Sequence, residues 1–236
     1  GVLAVLMSFV YIFSIPGEAI QTIVSRYTST LNVKNELGKM HFILSKFMQK
    51  GLHISIFCFS LFALLSLFLA PLLKIQYPLL LITGGILFGI FLIPAVRGVF
   101  QGRKKFKALG WNMILESLTK IFLAAFLIGI GVGAYGAITG VFFGIFLSFL
   151  LSFFSIREIM HAEKEKASIQ GVYGYSLSVF LMMLVVMLIY STDIIIAKIF
   201  FSGDIAGKYA VASMIGKMIF FGTVPISKAM FPITSQ

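Results

Sequence analysis

Charged residues are scarce in this chain. Of its 236 residues only 11% are Asp, Glu, Lys or Arg, whereas 59% are hydrophobic. A soluble domain carries about 25% charged residues, and a domain of this length keeps too much surface to bury such an apolar excess. The sequence therefore predicts an all-α integral membrane protein, a polytopic helix bundle whose outer solvent is lipid.

Residues that perform chemistry are also few. The single cysteine, Cys58, excludes an internal disulfide, and its apolar neighbours favour a small buried side chain over a reactive thiol. Paired carboxylates, His/Cys metal spacings and Ser/His/Asp sets are missing, and no connection is long enough to hold a catalytic domain. We therefore expect no enzymatic activity, no cofactor and no metal site.

The basic residues are concentrated in short clusters. The net charge is +11, which would suit a nucleic-acid partner, but these clusters lie between apolar runs, as cytoplasmic loops of membrane proteins do. Alternate connections hold 13 and 3 Lys and Arg residues. We expect a multi-pass protein of the cytoplasmic (inner) membrane, with the basic connections in the cytoplasm and no nucleic-acid partner.

Long apolar runs set the number of spans, because a helix needs about 20 apolar residues to cross the hydrocarbon. One window of 36 uncharged residues, 121–156, divides at the glycine-rich segment 129–136. Small residues at four-residue spacing, Gly136, Gly140 and Gly144, and again Gly85 and Gly89, favour close helix packing. Seven spans are predicted, near residues 2–27, 51–73, 75–96, 108–130, 134–156, 171–201 and 205–235.

The first and last spans share a short pattern. Pro16 precedes Glu18 in one and Pro225 precedes Lys228 in the other, with a Thr/Ser-rich end in both. Six helices separate the copies, which predicts two parallel six-helix lobes. The expected division is an N-terminal lobe at 1–160, a cytoplasmic linker at 161–170 and the start of a second lobe at 171–236. The chain opens at Gly1 directly into an apolar run, so we expect a fragment whose first helix lies upstream.

Ionisable residues inside spans are costly and usually face a partner or a cavity. Seven in the predicted spans are singled out, and several share helical faces; Asn112, Glu116 and Lys120 follow each other at four-residue spacing, and Lys217 and Lys228 are 11 residues apart. In one interpretation Glu116 neutralises Lys120 and the others reach the interface. In the favoured one they line a central cationic cavity. The seven are Glu18, Glu116, Lys120, Asp193, Lys198, Lys217 and Lys228.

Two stretches resemble a known family. The segment 94–106 (PAVRGVFQGRKKF), followed by a helix that ends in GIGVGAYG, is similar to helices four to six of polysaccharide flippases. The segment 191–198 (STDIIIAK), which leads to AGKYAVA, resembles the junction of helices seven and eight, and Phe231-Pro232 also fits. These proteins belong to the multidrug/oligosaccharidyl-lipid/polysaccharide exporter superfamily, and the resemblance covers about helices two to eight.

The resemblance implies a transporter of two lobes that works by alternating access. Its cargo would be a polyprenyl-pyrophosphate-linked glycan, and cavity cations would hold the pyrophosphate. The substrate-binding candidates are Lys120 and Lys217, with Lys228 and Arg26 near the cytoplasmic mouth. The alternative is a cation-coupled multidrug exporter of the same superfamily, with a proton or sodium ion as partner. The coupling or gating candidates are Glu18, Glu116 and Asp193.

Overall fold

The computed structural model describes residues 2–167, 181, 184–185, 188 and 191–234, with the backbone alone at Ile15 and 219–234. Helices account for nearly all of these residues, and no strand occurs among them. The long helices are α1 Val2–Val33, α2 Leu37–Leu73, α3 Tyr77–Gly102, α4 Phe106–Gly129, α5 Gly133–Ser155 and α8 Gly203–Thr234. Between α5 and α8 lie α6 (Arg157–Met160) and α7, which is continuous over 191–200.

Five of these helices, α1 to α5, are long and apolar enough to cross a membrane. This confirms the prediction of an all-α polytopic membrane protein and the first five expected spans. For the last two spans, α7 lies within its expected range and α8 begins at Gly203, two residues before its range, while much of 171–190 lies outside the described residues. These two spans stay predictions.

The segment 26–50, which joins the first two predicted spans, is helical except for a turn at 34–36, so the loop expected there is wrong. The 37 residues of α2 measure about 55 Å at about 1.5 Å per residue, whereas the hydrocarbon is about 30 Å thick. Hydropathy marks only the part of a helix that lies in lipid. The basic residues Lys39, Lys46 and Lys50 all lie in the first 14 residues of α2, which is the part of the helix that can extend beyond the hydrocarbon.

The turn between α4 and α5 falls where glycines were expected to divide the long apolar window. Gly131 has φ +91° and Gly133 has φ +60°. Residues with a Cβ rarely adopt these values, whereas glycine does so without steric cost. The chain can therefore reverse at residues 130–132, which confirms the predicted division.

Helix α3 is central and packs against α1, α2 and α5. Its contact with α1 depends on small residues, because a Cβ on Gly98 would lie 2.7 Å from the carbonyl oxygen of Gln21 and one on Gly102 would lie 2.5 Å from that of Ser25. The buried core of the bundle fills the space between α1, α2, α3 and α5. Close backbone approach of this kind is how helices associate in lipid, where apolar burial alone gives no preference.

Helix α4 packs chiefly against α5, and the predicted glycine stripe forms this contact. A Cβ on Gly136 would lie 2.7 Å from Leu127, and one on Gly140 would lie 2.6 Å from the main-chain nitrogen of Ala124. At Gly144 the nearest atom is Cγ of Lys120, at 2.5 Å. The packing role predicted for these glycines is confirmed, and the third of them holds an ionisable residue of α4 against α5.

The segment after α5 lies against the start of α2. The buried His41 donates from Nδ1 to the carbonyl of Ala162 at 2.7 Å, and the amide of Glu165 donates to the carbonyl of Gly38 at 3.2 Å. On the other side Arg103 donates to Glu158 at 2.9 Å. The described part of the expected linker is thus attached to the bundle, while the division into two lobes stays a prediction.

Candidate functional site

A cluster of polar side chains joins α3, α4 and α5. We call it the Glu116 cluster, and its members are Arg97, Asn112, Glu116, Lys120, Ser148 and Ser152. One carboxylate oxygen of Glu116 accepts a hydrogen bond from the Arg97 guanidinium and the other accepts one from the Lys120 ammonium. A single carboxylate therefore faces two cations, and the cluster carries one net positive charge.

The guanidinium of Arg97 is held from several sides. Its Nε donates to Oδ1 of Asn112 at 2.8 Å, and one Nη donates to Oγ of Ser148 at 3.3 Å as well as to Glu116. Asn112 is buried, and its amide donates to the carbonyl of Ser148 at 2.9 Å and to the hydroxyl of Ser152 at 2.7 Å. These bonds fix the orientation of Arg97, because a planar guanidinium has few alternatives once its donors are engaged.

Lys120 is held differently. Its side chain is 29% exposed, against 14% for Arg97 and 12% for Glu116, and it donates a hydrogen bond to Glu116. It lies 14 residues after Phe106 and 9 before Gly129, so its Cα is roughly 21 Å and 14 Å from the two ends of α4 at about 1.5 Å per residue. Of the two cations in this cluster, Lys120 is therefore the less constrained, and it lies near the middle of its helix.

Sequence reasoning placed Glu116 and Lys120 on one face of a helix, and the structure pairs them as that spacing indicated. It missed Arg97, which follows the predicted span 75–96 but lies inside α3, five residues before the end of that helix at Gly102. A signal was present in the sequence. Gly98 and Gly102 are again four residues apart, a small-residue spacing that is typical of a packed helix rather than a loop.

A second cluster joins α7 to α8, with Asp193 at its centre. Lys217 donates to both carboxylate oxygens, at 2.9 and 3.0 Å. Ser213 donates at 2.8 Å and Tyr209 at 3.2 Å. Asp193, Tyr209, Ser213 and Lys217 form what we call the Asp193 cluster, in which the Lys217 side chain is only 16% exposed. Sequence reasoning named both charged residues but did not pair them.

The remaining candidates are not brought into either cluster by the contacts described. Glu18 is half-buried on α1, and the hydroxyl of Thr22 donates to its main-chain carbonyl at 2.9 Å. Arg26 is exposed further along the same helix. The side chain of Lys228 lies outside the described residues, so its expected alignment with Lys217 stays a prediction.

One cavity in the described bundle lies away from both clusters. It has a volume of about 700 Å³ between α2, α3 and α5, and it is lined by apolar side chains such as Phe59, Phe88 and Phe142, with Thr139 supplying the single hydroxyl. None of the predicted site residues whose side chains the structure describes lines it. Among the described residues no group of three or more His, Cys, Asp or Glu is placed to hold a metal ion. The central cationic cavity therefore stays a prediction, supported by the two clusters rather than by this space.

A comparison with protein families gives one match, to a family described as polysaccharide biosynthesis protein, over residues 1–236. No curated protein and no solved structure matches the chain. The match covers all of the helices described above, including both clusters. It confirms the resemblance drawn from the segments 94–106 and 191–198.

Proposed function

Because the chain belongs to the polysaccharide biosynthesis protein family, we propose that it flips a lipid-linked oligosaccharide or polysaccharide precursor across the cytoplasmic membrane by alternating access. Family membership and the membrane-spanning helices support a polysaccharide-precursor transporter rather than an enzyme. The proposal adds the cargo, a polyprenyl-pyrophosphate-linked glycan, and the mechanism, which moves the cargo without covalent chemistry.

The observation that carries the proposal is the excess of cations over carboxylates in the two clusters. Arg97, Lys120 and Lys217 face two carboxylates in the two clusters. A charge at the centre of a membrane helix costs about 2.5–3.5 kcal/mol even on lenient scales. Keeping a third cation there is useful if an anion visits the site, and a pyrophosphate is such an anion.

In this mechanism Lys120 and Lys217 hold the pyrophosphate during its passage, as compact charges with rotatable donors. Arg26 and Lys228 attract the cargo at the cytoplasmic mouth between the two lobes. The acidic residues Glu116 and Asp193 restrain the lysines when no cargo is bound, and Glu18 contributes to gating. The glycan itself requires only a water-filled path, since sugars keep most of their hydration.

The second candidate is a cation-coupled multidrug exporter, which would use acidic residues in the spans to bind a proton or a sodium ion. Two of the three acidic candidates argue against it. Glu116 accepts from two cationic side chains, and Asp193 accepts from Lys217, Ser213 and Tyr209. A coupling cation would have to displace these bound ammonium and guanidinium groups.

The test is complementation of a strain that lacks its own flippase, with surface glycan as the readout. Lys120→Gln and Lys217→Gln are each expected to reduce glycan export by roughly 10- to 100-fold, since a charge-assisted hydrogen bond contributes about 1.5–3 kcal/mol. Ethidium resistance should be unchanged. Normal export with altered ethidium efflux would overturn the proposal in favour of the exporter.

The chain provides a matched control. Lys208 pairs with Asp204 at 2.7 Å in the first turn of α8, with side chains 78% and 73% exposed, so Lys208→Gln removes an equal charge from water. Export should not change, because exposed pairs contribute about 0–1 kcal/mol. The amount of each variant in the membrane is measured in parallel, which separates lost transport from lost protein.

A further inference from the structure

The two cations of the Glu116 cluster are not equivalent. Arg97 has acceptors in Asn112 and Ser148 as well as in Glu116. Lys120 donates to Glu116 and is the more exposed of the two. Removing the Glu116 carboxylate would therefore leave Arg97 oriented by neutral partners and would leave Lys120 without its anion.

A carboxylate between two cations has the charge and the geometry of a bound ligand. Its two oxygens are shared between the guanidinium and the ammonium, as the oxygens of a phosphate would be. Because Glu116 is attached to α4 through a flexible side chain, it can rotate away from the cations without unfolding the helix. An incoming phosphate oxygen could then take its place on both donors.

We propose that Glu116 is a built-in counter-anion that competes with an anionic phosphate group for Arg97 and Lys120. In the empty protein Glu116 neutralises one of the two cations and keeps both from costly exposure to lipid. An entering pyrophosphate displaces the Glu116 carboxylate from the two cations, and the carboxylate displaces the pyrophosphate when the cargo is released. This inference rests on the proposed function and assigns Arg97, absent from the sequence-based candidates, to the cargo site.

A purely structural role for Glu116 predicts the opposite result. If the carboxylate only fastens α3 to α4, its removal should destabilise the bundle and should leave anion binding unchanged or weaker. If it competes with the anion, its removal should strengthen binding. The sign of the change in affinity distinguishes the two roles, and protein stability alone does not.

The experiment measures binding of inorganic pyrophosphate to the purified full-length protein in detergent by titration calorimetry. Glu116→Gln keeps the size and an acceptor oxygen but removes the charge, and it is expected to bind about tenfold more tightly, a size typical of coupled binding events. Glu158→Gln is the matched control, because it makes the same charge change at a carboxylate that is 56% exposed and pairs with Arg103; its affinity should equal that of the natural sequence.

An affinity of Glu116→Gln that is unchanged or lower would overturn the inference. If that variant yields no folded protein, Lys120→Gln decides, because Glu116 then faces Arg97 alone and pyrophosphate should bind about tenfold more weakly; unchanged binding there overturns the inference as well. The proposed function fails separately. It is contradicted if the natural protein binds no pyrophosphate at all, whereas the inference alone fails if binding is present but insensitive to Glu116.

Discussion

Two glycines, one inside the contact between α4 and α5 and one outside it, give stability predictions of opposite sign. A Cβ on Gly140 would lie 2.6 Å from the nitrogen, 2.8 Å from the Cα and 2.9 Å from the Cβ of Ala124. Ordinary contact begins at 3.4 Å, so the helices must separate by up to 0.8 Å. Overpacking costs about 1–3 kcal/mol, and alanine returns about 0.5–1 kcal/mol of helix stability. Gly140→Ala should therefore lower the free energy of unfolding by about 1 kcal/mol, within a range of about 0–2.5 kcal/mol.

Gly110 lies in α4 with nothing within 4 Å of an added Cβ. Gly110→Ala should raise the free energy of unfolding by about 0.5–1 kcal/mol, because only the helix preference changes. The assay is SDS-induced unfolding of the detergent-solubilised full-length protein, followed by far-UV circular dichroism. If Gly140→Ala proved as stable as Gly110→Ala, the close α4–α5 contact that positions Lys120 would be wrong.

Three further predictions concern individual ion pairs and hydrogen bonds. Asp193→Asn and Lys217→Met should each destabilise the protein, while the double variant should recover part of the loss; additive effects in the double-mutant cycle would contradict a direct pair. The hydrogen bond from Arg103 holds the pKa of Glu158 below its ordinary value. The pair therefore stabilises the fold fully at pH values above the ordinary carboxyl pKa. This contribution is lost as the pH falls through the lowered pKa. Glu158→Gln should therefore flatten the acid side of the stability profile, and an unaltered profile would refute the pair. His41→Phe removes the hydrogen bond to the carbonyl of residue 162 and should speed tryptic cleavage of the 161–167 segment, whereas unchanged cleavage would show that this bond does not hold the segment.

The spans could be predicted from the sequence because hydrophobic length is a property of a single segment. Five spans and the turn at 130–132 follow from charge-free windows and glycine spacing. The helical character of 26–50 could not be read in the same way. Once a helix leaves the hydrocarbon, water tolerates charged side chains on every face, and hydropathy no longer distinguishes a helix from a loop.

The side-chain contacts of the candidate site were predicted where both residues lie on one helix and were missed where they lie on different helices. Glu116 and Lys120 were paired by their spacing along α4, but Arg97 was not, because its partners depend on how α3 is rotated against α4. The pair of Asp193 and Lys217 was missed for the same reason. These two residues lie on neighbouring helices on either side of the turn at 201–202. The sequence gives the distance of each residue from the turn, but it does not show which side of each helix faces the other.

The most direct test of the account is the access of water to Lys120. In a full-length protein with Cys58→Ala, the variants Lys120→Cys and Lys217→Cys are treated with a membrane-impermeant maleimide in intact cells and in inverted vesicles. Ile121→Cys is the lipid-facing control, since Ile121 is 64% exposed on the apolar surface of α4. Labelling at 120 and 217 from at least one side, with none at 121, is the predicted result. If 120 and 217 were as unreactive as 121, the cations would not face an aqueous path, and the proposed transport of an anionic cargo along them would be contradicted.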